Sequence, residues 1–263
     1  MHFLSILAIV KNQNDFIQEF VEFYKLQGVD HFYFYDNESN IPLKKVLSNS
    51  LDICTINEIH GDTQQINAYN DFLKNYKNAT EWVAVFDIDE FVFAKKHGTL
   101  KEFILANSFI DCISINWVIF GNGKHINKPT HGLLIENYLY SEGKQHQNVK
   151  SITKTSAIRK FTHPHFPKLK WFKKHTNAAG NKMKGSENKE PTTHIIQLNH
   201  YFTKSLEEYQ LKLNSRRADN GLVRSEMKEE MKWLPSEAER SSVYFDNELN
   251  EKFGNQVKKA LTL

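Results

Sequence analysis

A chain of 263 residues with 40 % hydrophobic and 13 % aromatic side chains has the apolar material for a packed core, which excludes an intrinsically disordered chain. Its 34 basic and 31 acidic residues leave a formal charge of only +3, which argues against attraction of the whole surface to nucleic acid. Cys54 and Cys112 stand far apart and in no C-x-x-C pattern, so neither a disulfide framework nor a zinc ribbon is suggested and a reducing cytoplasm fits.

The apolar run over 3–10 lacks a basic n-region and falls far below the ~20 residues of a membrane span, so it is expected as a buried first strand. Over 15–27, Phe16, Ile17, Phe20, Val21 and Tyr24 recur at helical spacing, and Gly28 follows as a stop. The aromatic run 31–35 then reads as a strand ending in the turn-rich Asp36-Asn37-Glu38-Ser39-Asn40. Strand, helix, strand in this order favours a parallel sheet. A short strand at 51–56, a helix at 64–76 and a strong strand at 82–86 continue the alternation.

Beyond Phe93 the pattern loosens. A helix is expected at 99–107, strands at 112–117 and 133–139, a strand-and-loop region at 144–185, and helices at 205–214 and 225–233. No internal repeat or low-complexity linker interrupts the chain, so one α/β domain with a C-terminal elaboration is expected over 1–263.

Asp87-Ile88-Asp89-Glu90 follows the apolar run 82–86, where the carboxyl end of a strand should emerge. Ligands of open parallel sheets gather at such ends, and two carboxylates two residues apart on extended backbone point to one side. They repel unless a cation sits beside them, and hard oxygen ligands suit Mg²⁺ or Mn²⁺ bridging to a diphosphate. An acidic turn that caps a strand and faces water is the plainer alternative. The apolar residues on both sides, ending in Phe91-Val92-Phe93, favour charges embedded in the fold.

The stretches Val10-Lys11-Asn12 with Glu19, Gly28 through Asn37, Gln65-Ile66-Asn67-Ala68-Tyr69-Asn70, Trp82 through Phe91, and Asn199-His200-Tyr201-Phe202-Thr203-Lys204-Ser205 resemble bacterial glycosyltransferases of the family 2 type related to family 92. Gln13 departs from the Glu usual there. The resemblance implies a GT-A-like (Rossmann-like), mostly parallel sheet flanked by helices, with 1–93 as the nucleotide-sugar half and 94–263 as the acceptor-side and C-terminal half. It implies Asp87, Asp89 and His200 as metal ligands. It places Lys11, Asn12, Glu19, Asp36, Asn37, Gln65, Asn70, Asp87 and Lys204 at the nucleotide-sugar donor, probed first as a UDP-sugar, and it implies inversion.

For the acceptor side, Trp117, Phe120 and Lys150 are candidates, because aromatic faces accept sugar rings. Glu136 and Asp219 are candidate catalytic bases, since few carboxylates lie between them. No Asp or Glu occurs over 143–186, which carries eleven Lys and Arg including Lys150. Such a block attracts phosphates. Contact with a saccharide or lipid-linked glycan acceptor of lipopolysaccharide type is expected, at the inner face of an anionic membrane, and no nucleic acid. His163-Pro164-His165 is a weak zinc signature. Two rivals remain at this stage: a Mg²⁺-dependent phosphatase using Asp87 and Asp89, and a non-enzymatic module binding phosphates through the basic block.

Overall fold

The computed structural model describes residues 1–143, 146–217, 220–226 and 236–262. The first half runs β1 (His2–Val10), α1 (Ile17–Leu26), β2 (His31–Asp36), α2 (Leu43–Val46), β3 (Cys54–Glu58), α3 (Gln65–Asn75), β4 (Thr80–Val85) and β5 (Glu90–Ala94). It continues with α4 (Leu100–Ala106), β6 (Cys112–Ile119), α5 (Leu134–Asn137), β7 (Tyr140–Ser141), β8 (Val149–Lys154), β9 (Ile158–Phe161), β10 (Pro167–Leu169) and β11 (His175–Asn177). The last elements are β12 (Ile196–His200), α6 (Leu206–Leu213), α7 (Glu237–Arg240), β13 (Tyr244–Phe245) and α8 (Glu248–Leu261).

The central sheet has the order β3-β2-β1-β4-β8-β6-β12-β5, with β11 also paired to β6. All of these strands run the same way except β8 and β5, so the sheet is mostly parallel, as expected. Alternation along β2 shows how the sheet is buried on both faces. Phe32 and Phe34 join a core with α1 residues Phe20, Phe23 and Tyr24, while Tyr33 and Tyr35 join Tyr69 and Phe72 of α3 on the other side. Gly28 ends the first helix with φ 82°, and a Cβ there would meet the Lys101 Cβ at 2.7 Å, so glycine is required twice over.

Where 133–139 is expected as a strand, the chain forms the short helix α5 instead. A run such as Leu133-Leu134-Ile135 fits either state by periodicity. The buried Glu19 carboxylate, 115 residues earlier, decides for the helix by accepting the Leu134 and Ile135 amides at 2.6 and 3.1 Å. The expected helix at 225–233 overlaps a 3₁₀ turn at Arg224–Glu226, and its remainder lies outside the described residues. The strands β5 and β12 and the amphipathic α8 are additions to the expected elements.

Candidate active site

Asp87-Ile88-Asp89 is not extended but forms the turn between β4 and β5, closed by the Glu90 amide donating to the Asp87 carbonyl at 3.0 Å. This overturns the picture of two carboxylates pointing to one side, because the turn sends them to different cationic partners. Asp87 meets Lys150, whose Nζ donates to Oδ2 at 2.8 Å and lies 3.4 Å from a Glu90 carboxylate oxygen. Asp89 meets Lys212 at 2.9 Å, His200 Nε2 at 3.4 Å and Lys204 at 4.0 Å.

Each partner arrives for a topological reason. The antiparallel strand β8 lies between β4 and β6 with Ile152 opposite Ala84, so Lys150, two residues earlier, reaches past the end of β4. Lys150 is therefore a buried ion-pair member, 1 % exposed, and not part of the basic surface expected from its neighbours in sequence. His200 is carried by β12, whose register sets it opposite Glu90 on β5 and opposite Ile119 on β6. Ser205 caps α6 by accepting the Glu208 amide at 3.2 Å, and Lys212 reaches back from that helix to Asp89 and the Phe202 carbonyl. Lys204 takes a left-handed backbone, φ 53°, and donates to Gln13 at 3.3 Å.

Burial pushes the Asp89 carboxyl up, but Lys212, His200 and Lys204 more than offset it and hold the group well below the usual carboxylate range. The same burial lowers Lys212 to about 8 despite Asp89. His200 is lowered by burial, which keeps its imidazole neutral. Glu90 is driven well above the usual range by complete burial, with Lys150 opposing and Asp87 and Asp89 adding repulsion. Lys150 is raised, since Asp87 and Glu90 outweigh its desolvation. Around this centre the Trp117 ring stands 4.7 Å from His200 and 5.0 Å from His165, whose burial lowers it to about 2.

Among the described residues, Glu90 Oε1 and His200 Nδ1, 4.0 Å apart, have no hydrogen-bond partner, and neither do Trp117 Nε1 and His165 Nδ1. Asp89 Oδ1 and His200 Nε2, at 3.4 Å, are beyond ordinary hydrogen-bonding range. Two cis ligands each about 2.1 Å from one octahedral ion lie about 3.0 Å apart, so this pair needs to close only slightly to share such an ion. Asp87 turns to Lys150, and among the described residues no three His, Cys, Asp or Glu side chains converge as a metal site. The protein pair fits an ion whose remaining ligands come from substrate phosphates and water, as is usual for Mg²⁺.

Other expected site residues serve the fold. Asp36 accepts the Ser39 amide at 3.1 Å and the Leu43 amide at 2.9 Å, so its carboxylate shapes its own loop. Asn37 donates to the Ile59 and Gly61 carbonyls. Glu19, which burial raises to about 7, holds α5. Asn70 clamps α3 to Phe161, and Gln65 donates to Tyr69 OH at 2.9 Å. Asn12 ties the first loop to Ser39 and Asn40, and Lys11 pairs with Glu38 at the surface. Phe120, 1 % exposed, packs on Tyr201 in the core and offers no face to a sugar. Glu136 pairs with Lys258, which lowers its pKa and weakens it as a base, and it also accepts the Leu133 amide. Asp219 lies outside the described residues.

Glu90, Gln13 and His165 stand in stretches that the sequence singles out without a donor or metal role, and Lys212 stands in none. Glu90 adjoins the acidic motif and Gln13 adjoins the first loop, but nothing local marks Lys212. An open groove of about 650 Å³ beside Tyr35, Asn57 and Asp71 shares no lining residue with the Asp87 and Asp89 cluster.

The model of glycosyltransferase family 92 matches residues 5–254. No curated protein matches the chain significantly. Among solved structures, residues 1–349 of TarS from S. aureus align at 14 % identity over 59 % of this chain and 48 % of that one, with a TM-score of 0.36. The same protein in complex with UDP gives 14 % identity, 59 % and 47 % coverage and a TM-score of 0.37. HddC from Yersinia pseudotuberculosis gives 12 %, 68 %, 91 % and 0.39. The chain thus spans about half the length of the TarS segment.

Proposed function

The chain belongs to glycosyltransferase family 92, and from that premise we propose that it moves a hexosyl group from a nucleoside diphosphate sugar, UDP-linked in the first instance, to a saccharide acceptor. The observation that carries the site is the meeting of Asp89 with His200, Lys204 and Lys212 at the carboxyl end of β4, across more than a hundred residues of chain. A diphosphate bound here finds two ammonium groups, and Lys212 can exchange its Asp89 partner for a phosphate oxygen.

Asp89 and His200 would hold Mn²⁺ or Mg²⁺, which neutralises charge on the diphosphate when bound. Around it the protein's work is orientation. Glu90 Oε1 stands behind His200, 4.0 Å from Nδ1, while Nε2 on the other side of the ring faces Asp89. Lys150 balances Asp87 and keeps the turn closed around Glu90, whose carboxylate accepts the Asp87 amide at 2.9 Å. Trp117, edge-on to His165 and tilted against His200, is the aromatic group that would meet a sugar. Direct attack by an acceptor hydroxyl gives inversion. Assembly of a cell-surface glycan of lipopolysaccharide type is the pathway class that fits such a transfer.

Thermal unfolding tests the reading: UDP with Mn²⁺ should raise the midpoint by more than the two separate shifts combined, and His200→Ala should abolish that excess. Equal stabilisation by UDP in EDTA would remove the cation from the mechanism.

A further inference from the structure

Trp171 and Phe172 are 83 % and 99 % exposed, an unusual fate for two adjacent large aromatic residues. They occupy the two corner positions of a turn between β10 and β11, closed by the Lys173 amide and the Lys170 carbonyl at 3.4 Å. Phe172 has φ 62°, in a corner where a positive φ ordinarily selects Gly or Asn. A bulky ring in that conformation is strained, and packing within the protein does not compensate it, because the side chain touches solvent almost everywhere. Asp111 fixes the tip by accepting from Lys173 Nζ at 3.3 Å and from the Lys174 amide at 2.9 Å. Asp111 also brings alongside the neighbouring loop with Phe109, itself 70 % exposed.

The hairpin β9–β10 and the turn after it expose Arg159, Lys160, Lys168, Lys170, Lys173 and Lys174, with the half-buried Asp111 paired to Lys173. We propose that the Trp171-Phe172 tip is an anchor for an anionic lipid bilayer, with the two rings entering the interface and the basic side chains meeting its headgroups. The tip protrudes and forms no cleft, so it suits a deformable apolar layer better than the surface of a folded partner. The surrounding cations supply the electrostatic half of a two-part membrane signal.

The anchor precedes β11, which runs parallel to β6, so it lies at the opposite end of the sheet from Asp87 and Asp89. The separation is roughly the length of β6, about 25 Å. It is a tether and no part of the catalytic site, and the inference stands independently of the glycosyl-transfer reading.

Sedimentation of the full chain with vesicles of phosphatidylcholine, with and without phosphatidylglycerol, tests it. The protein should partition onto the anionic vesicles, and Trp171→Ala with Phe172→Ala should lower that partition at least roughly tenfold. Thermal midpoints should stay equal, since both rings are exposed and their ring contact is with each other. Lys168→Glu with Lys174→Glu should also lower binding, and the part that remains should depend less on salt. Brominated lipid should quench the wild-type tryptophan emission, while Trp171→Phe should keep binding and lose the quenching. Unchanged partition of the double alanine variant overturns the proposal, as does equal binding to neutral vesicles. So does light scattering that shows a dimer turned monomeric by the alanine pair, with no vesicle binding, because the tip is then a contact between copies of this chain.

Discussion

The polar residues at the carboxyl end of β2 and most of those at the carboxyl end of β4 are drawn into the fold, Asp87 and Lys212 less deeply than the rest, yet they are spent differently. At the first end, Asp36 and Asn37 face backbone: amides of Ser39 and Leu43, carbonyls of Ile59 and Gly61. At the second, Asp87, Asp89, Glu90, His200, Lys150 and Lys212 face one another and leave Glu90 Oε1 and His200 Nδ1 without partners. A buried carboxylate whose oxygens cap amides has reached its lowest state, and a ligand would have to displace those bonds. One that faces two lysines and a neutral imidazole keeps a large charge density that an incoming diphosphate and cation can rearrange. Burial alone therefore does not mark a site; the kind of partner does.

The largest effect that can break this contrast is on turnover. Asp89→Asn and His200→Ala should each lower the transfer rate on the order of a hundredfold or more, the scale of losing one main electrostatic contact to developing charge. Asp89→Asn also leaves Lys212 buried without its ion partner, so a thermal midpoint must accompany the rate. His200→Ala carries no such complication, and a folded, fully active His200→Ala enzyme at limiting Mn²⁺ would dissolve the distinction between the two strand ends.

The next effect belongs to Glu19. Burial raises it from the usual value near 4.5 to about 7, so the native state holds its proton more tightly than the unfolded chain. Its contribution is present below 4.5 and is lost as pH rises through 7, a change worth roughly 3 kcal/mol. Glu19→Gln should flatten that part of the profile in urea unfolding between pH 4.5 and 8, whatever it does to absolute stability. Parallel profiles for the two proteins would show that Glu19 does not titrate there. Asp36→Ala comes third, at about 2 kcal/mol of stability for two stranded amides, with UDP affinity in the folded protein unchanged. Weakened UDP binding at full stability would restore Asp36 to the nucleoside.

The same contrast explains what could be read from the sequence. The order β1, α1, β2 was legible because Phe16, Ile17, Phe20, Val21 and Tyr24 repeat at a helical period and the flanking strands are continuously apolar. His200 was legible only through resemblance, because its place beside Asp89 depends on the register of β12 against β5 and β6. Lys150 was misread as surface because nothing local says that β8 is inserted antiparallel beside β4. The resemblance implies Glu19 at the donor, whereas its hydrogen-bond partners in the fold, the amides of 134 and 135, are 115 and 116 residues away. Local periodicity writes the elements, whereas side-chain roles depend on pairings of high sequence separation.

Lys212 sharpens the comparison most finely, since it asks whether a buried cation at the second strand end is available to a ligand. Burial lowers it to about 8 against the pull of Asp89, so its ammonium is charged below that value and loses its proton as pH rises through it. An ordinary phosphate completes its second ionisation at about 6, so between pH 7.5 and 9 the protein supplies the change in charge. Diphosphate binding favours the ammonium, raises its pKa and takes up a proton. UDP affinity measured by calorimetry at fixed Mg²⁺ should then fall above pH 8, by about tenfold for each unit at most. Repeating the titration in buffers of different ionisation enthalpy should reveal the proton uptake directly. Lys212→Arg keeps its charge across this window and should bind UDP with a flat profile. If the wild type is already flat, or the arginine variant keeps the slope, Lys212 remains locked on Asp89, and Lys204 is the lysine left to meet the phosphates.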